Sequence, residues 1–518
     1  MEYTEKQTKD RYEVGYPHDA VSVECGVDYT LPDYMPEIRK LLRVDARPIP
    51  SGRYFNEDSA EFSGIVAFTV VYTDGEGHLS AVSQNGEYTL TCRKNGALRD
   101  AFIDVEVDPA GCRLYGPRKI GLRTTVRGRA ELIGDLPLPE YPEEPLEMLS
   151  EVRTVRDTRS AGPTEVPFSD ALALPGIPPE GLRLLACDGA LFLEDPRVLT
   201  DAVRLRGTAH IRILAAAEDG APLSYTVKIP LECELAAEGA QTGDGCLPSG
   251  CIATLNVRPT GDGEGGCRLE IDGVAECGAR LYRNREITVV TDLYSPECRT
   301  EKAMRPITLA RIAGVHFGNY TVSGTAPVPT GEECASHIPD AIATATVRKV
   351  TTEGAHPVVL GDIRVKLLLA GAPEGEEGRV ACSAAEIVHP FRIEVPLTLS
   401  EGGDVSYTAS VLPMAVRPRI EDAGYGADTE LSLSLVAVCE ESVTAVDRVT
   451  VDTEDRFVRR DGTVRVVYPA GGDTLWSIAA RMHTTPRDLA EANRLSCTDN
   501  AEAALPTSLD GVSYLLVE

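Results

Sequence analysis

Polar and apolar residues alternate without a break in Glu430-Leu431-Ser432-Leu433-Ser434-Leu435. A period of two puts every second side chain on the same face of an extended strand. The pattern predicts an antiparallel strand with one face in a core and the other in water. It recurs elsewhere. Ile103-Asp104-Val105-Glu106-Val107 alternates apolar with acidic residues, and residues 120–130 alternate apolar with basic ones. Short alternating segments divided by glycine and proline turns restrict such a chain to β-sandwich or β-barrel architectures.

The strands belong to a threefold internal repeat. Each copy opens on an extended lead: Leu31-Pro32-Asp33-Tyr34-Met35-Pro36-Glu37-Ile38-Arg39-Lys40-Leu41-Leu42, then residues 174–185, and more weakly Ala326-Pro327-Val328-Pro329 with Ile338-Pro339-Asp340-Ala341-Ile342. A long strand follows, entered through Gly64, Gly207 and Gly361. Each strand meets a turn rich in glycine and acid (residues 74–77, 218–220 and 374–378) and is followed by a return strand. A second strand pair closes each copy: residues 103–107 with 120–130, 253–257 with 273–281, and 406–412 with 429–438. A solenoid unit is about 20–45 residues long. These copies are far longer, so each is read as a β domain with its own core. The expected fold is mainly β: three consecutive antiparallel sandwich- or barrel-like domains at 1–145, 146–300 and 301–455, then a small βααβ domain at 464–518. Leu136-Pro137-Leu138-Pro139-Glu140-Tyr141-Pro142-Glu143-Glu144-Pro145 reads as an extended linker.

The C-terminal segment changes period. Leu475, Ile478, Ala479 and Met482 follow at helical spacing behind Asp473 and Thr474, either of which can cap the helix. Thr485-Pro486-Arg487-Asp488 starts a second helix, with a cap, a proline at the first position and a carboxylate at the N-terminus. Val464-Arg465-Val466-Val467-Tyr468 and Tyr514-Leu515-Leu516-Val517 read as flanking strands.

Composition narrows the function. The formal charge of −29 disfavours nucleic acid and anionic membrane surfaces, and long-range steering favours a basic partner. The polar start Met1-Glu2-Tyr3-Thr4-Glu5-Lys6 and the lack of an apolar run of about 18 residues predict neither a secretory signal nor a membrane span. The 14 cysteines form no Cys-x-x-Cys pair, and even Cys246 and Cys251 lack histidines at ligand spacing; they read as reduced, small apolar residues. The eight histidines are dispersed. No phosphate loop, His-Glu-x-x-His or Gly-x-Ser-x-Gly motif occurs, and the Gly-rich residues 261–266 carry acids and no lysine. No enzyme, metal or cofactor is expected.

Gly472-Asp473-Thr474-Leu475-Trp476-Ser477-Ile478-Ala479, with Asn493-Arg494-Leu495 downstream, resembles the opening of a LysM module. Such modules are best known for binding N-acetylglucosamine-containing glycans in a groove between this loop and the one before the last strand. Carried onto this chain, that surface comprises Gly472, Asp473, Thr474, Leu475 and Trp476, with Asp510 and Gly511 opposite. The lead at 31–42, the strand at 64–72 and residues 120–132 resemble the SPOCS domain, also called DUF3794. The whole arrangement is similar to the SipL-type spore-coat morphogenetic proteins. That resemblance implies a non-catalytic scaffold in the mother-cell cytoplasm. It would recruit or encase coat material at the forespore surface, with the coat basement-layer ATPase as partner. The chain closes on Leu515-Leu516-Val517-Glu518 without the usual apolar-Pro pair, and residues 496–500 alter the second loop. A protein contact is therefore the leading implication for this surface, with a peptidoglycan-type glycan as the alternative.

Overall fold

The computed structural model of the protein describes residues 11–517 apart from 17–19, 57, 94–96, 143–144, 219, 262–264, 329–334, 375–378, 400–404, 423, 458–462, 496–508 and 510–511. Strands dominate and pair antiparallel, as the alternation predicts. The first lobe holds β1 (Arg11–Tyr16), β2 (Val21–Thr30), β3 (Lys40–Phe55), β4 (Ser59–Thr73), β5 (Leu79–Arg93), β6 (Asp100–Val107), β7 (Gly111–Gly116) and β8 (Lys119–Pro137). One sheet is the meander β3–β4–β5; in the other, β8 pairs with β1, β2, β6 and β7.

The second lobe holds β9 (Glu147–Leu174), β10 (Leu182–Leu193), β11 (Arg197–Leu199), β12 (Ala202–Ala217), β13 (Pro222–Ala236), β14 (Gly245–Gly261) and β15 (Cys267–Tyr294). The third holds β16 (Cys298–Pro327), β17 (His337–Glu353), β18 (His356–Glu374), β19 (Arg379–Glu394), β20 (Val405–Glu421) and β21 (Gly424–Arg456). The pattern repeats. Meanders β10–β12–β13 and β17–β18–β19 face second sheets β14–β15–β9 and β16–β21–β20. Each second sheet takes a strand from upstream of the lead: β2, β9 or β16. The sequence reading lacks that strand. In β16 the reason is visible, because long stretches lie half-exposed or exposed and dilute its alternation.

The three strand-entry glycines have one cause. A Cβ at Gly64, Gly207 or Gly361 would strike the carbonyl oxygen of Ile49, Phe192 or Thr346 on the neighbouring strand. Each marks a point where two backbones approach too closely for a side chain. The turn after β4 is also built from its sequence: the Asp74 carboxylate accepts from the Glu76 and His78 amides at 2.9 Å, and Gly77 turns at φ +90°. Parts of the matching turns, at 219 and 375–378, lie outside the described residues, as do 262–264.

The two sheets of each lobe share a core, for example Phe68 with Leu122, Ile211 with Leu269, and Ile363 with Leu431. The lobes also pack on one another. Seven positions after its glycine, each central strand carries Val71, Leu214 or Leu368, and these three buried residues meet in one cluster with Leu79. Equivalent positions thus converge as they would around a threefold axis. A second junction gathers Tyr12, Val155, Ile287, Val289, Ile307, Leu309, Val443 and Ala445, where the strands run beyond their lobes.

Buried ion pairs close the seams. Asp340 of the third lobe takes Arg43 of the first at 2.6 Å and Arg212 of the second. Glu13, also buried, accepts from the Thr158 amide at 2.7 Å and from Arg99 at 2.6 Å, and pairs with Arg156 at 2.8 Å. No helix among the described residues is long and apolar enough to cross a membrane.

Candidate binding module

The C-terminal module consists of β22 (Arg465–Val467), α1 (Leu475–Met482), α2 (Pro486–Ala492) and β23 (Leu515–Val517), with β22 and β23 paired antiparallel. This is the expected βααβ order. Thr474 caps α1 with a reciprocal pair: its hydroxyl accepts from the Ser477 amide at 3.1 Å, and the Ser477 hydroxyl accepts from the Thr474 amide at 2.9 Å. Thr485 caps α2 through the Asp488 amide at 2.9 Å, with Pro486 in the first turn. Such caps satisfy amides that the helix itself leaves open.

Asp473 has a different task. Its carboxylate accepts from the Ala470 amide at 3.0 Å and from Arg481 at 3.2 Å, and so pins the Gly471-Gly472 turn, where Gly472 adopts φ +93°. The Ala470 amide first, and Arg481 after it, hold the Asp473 carboxyl below its ordinary value despite some desolvation. Asn493 clasps the far side. Its amide nitrogen donates to Leu489 at 2.8 Å and Leu516 at 2.7 Å, and its oxygen accepts from the Leu516 amide at 2.7 Å, tying α2 to β23.

The module is docked on the β body. Tyr294, the last residue of β15, enters the core formed by Leu475, Ile478, Ala479, Leu489, Ala490 and Leu515. Its hydroxyl donates to the Thr484 carbonyl at 2.8 Å, and its ring meets Trp476 edge-on at 5.0 Å. The Trp476 indole donates to Asp292 at 2.9 Å. Phe457 stacks on His483, the left-handed residue that ends α1. Burial pushes up the Glu147 carboxyl, and Asp488 adds to the effect.

The residues assigned to the module surface therefore divide. Gly472 is exposed. Asp473 and Thr474 are half-buried and hold the loop and the helix start. Leu475 is buried in the core, and Trp476 faces the β body. Asp510 and Gly511 lie outside the described residues. Sequence reasoning missed Asp292 and Tyr294, 184 and 190 residues upstream of their partners and without a local signal. The sequence marks Asn493 but not its clasp.

Residues 471–503 match the LysM domain family, so the chain carries a LysM domain. No curated protein and no solved structure matches the chain.

Proposed function

We infer that this is a non-catalytic binding protein that presents one LysM module, in a fixed orientation, from a three-lobed β body. The LysM match carries the reading, and the caps and clasp among the described residues support it. The ligand class is an N-acetylglucosamine-containing glycan of the peptidoglycan type. The full chain should be retained on insoluble peptidoglycan and released by soluble N-acetylglucosamine oligomers; a chain left wholly in the supernatant would sink this reading.

A second reading makes the module a protein-contact surface of a SipL-type spore-coat scaffold. It would act at the forespore surface in the mother-cell cytoplasm, with the coat ATPase as partner. It draws support from the threefold β repeat and from the engagement of Trp476 by the β body, which partly buries an aromatic side chain of the module surface. Localising a tagged copy during sporulation tests it, and normal coat encasement without residues 464–518 counts against it.

A further inference from the structure

The two-stranded ribbon of the module has two faces, and among the described residues the fold uses one. Val467, Leu515 and Val517 face the helices and join the module core. The register pairs Val466 with Leu516 and Val467 with Leu515, so Tyr468 and Tyr514 stand at the next position out. By the alternation of a strand, Val466 and Leu516 point to the opposite face, and Val464, Tyr468 and Tyr514 flank them two positions along the chain. That face is open: Val464 is 57 %, Val466 50 %, Tyr468 74 % and Tyr514 55 % exposed.

We propose that this face is a glycan contact, with the rings of Tyr468 and Tyr514 stacking on N-acetylglucosamine units. It rests on the glycan reading above and adds a surface distinct from the Gly472 loop. Area separates sugar from protein. Four side chains so exposed offer roughly 400–450 Å², the scale of a functional patch on a monomer. A stable protein interface needs about 800 Å² from each partner, which this face does not reach by itself. The area suits a short oligosaccharide. A pyranose ring presents C–H groups to the negative face of an aromatic ring, much as the edge of a second ring does. None of the five residues is charged at neutral pH. A neutral sugar is therefore indifferent to the −29 charge of the chain, which would repel an anionic partner. Tyrosine also brings a large rigid surface with little entropy to lose on ordering.

Calorimetric titration of the full chain with the N-acetylglucosamine tetramer tests the proposal. Tyr468→Ala and Tyr514→Ala should each weaken binding about threefold to tenfold, the range for the loss of one ring contact. Tyr→Phe at either position should stay within about twofold. Trp476 is the single tryptophan, so its emission reports whether each variant keeps the module folded. Gln in place of Ala removes the ring again if an alanine variant fails to fold. Unchanged affinity in a folded double variant overturns the proposal and leaves the glycan reading standing. Absence of binding by the unaltered chain removes both. Unchanged affinity with loss of a dimer in sedimentation would assign the face to contact between copies and overturn the proposal as well.

Discussion

Asp340 joins all three lobes through one side chain. Burial alone would raise its carboxyl; Arg212 and then Arg43 outweigh burial and hold it at about 2. The unfolded carboxyl titrates near 3.9. The folded value is the lower of the two, so the stabilisation is complete above about pH 4 and is lost as pH falls through 2. It amounts to roughly 2 kcal/mol, and chemical denaturation between pH 5 and 2 should show that loss. Asp340→Asn should cost more, about 3–5 kcal/mol at neutral pH, because two guanidiniums then lose a charged partner at a buried seam. A midpoint unchanged by Asp340→Asn would refute this role. Thiols make a second test. Burial pushes Cys246 and Cys277 up to about 12 and Cys251 up to about 11. At pH 8 roughly one such thiol in a thousand or fewer is the reactive thiolate. Mass spectrometry after alkylation should find these positions unlabelled in the native protein and labelled after unfolding.

Among elements, the module shows what local sequence specifies. Thr485 and Pro486 are placed by the sequence, and the cap of α1 to within one residue, because a cap acts within three residues. The choice between Asp473 and Thr474 was open there, and the turn decides it by engaging Asp473 with Ala470 and Arg481. The Asn493 clasp spans 23 residues and has no periodic signature. Asn493→Ala should destabilise the module by about 1–3 kcal/mol, since the part-buried Leu516 amide and carbonyl lose their partners. Loss of hydrogen-exchange protection in β22 and β23, with the three lobes unaffected, is the expected readout; equal protection in the variant would show that the clasp is dispensable. The strand-entry glycines belong to this scale too. Their recurrence is visible in sequence, but the carbonyl each approaches lies on a strand that only pairing brings near.

For the whole molecule, the decisive feature is that lobes and module are packed rather than strung together. Tyr294→Ala should release the module, because Tyr294 supplies both a core ring and the bond to Thr484. Trp476 emission should shift to the red, and limited proteolysis should separate the module from an intact body. An unshifted emission would mean that the dock does not depend on this ring. Most of the strands, the turn chemistry, the threefold repeat, the helix starts and the LysM signature are legible in the sequence. Each depends on neighbours a few residues apart, or on a pattern copied along the chain. Folding alone brings Val71, Leu214 and Leu368 together, gives Asp340 two arginines from other lobes, and sets Trp476 against the β body while Tyr468 and Tyr514 face water. These are pairings between distant segments. Burial and electrostatics select them once the chain has folded, and no local period records them.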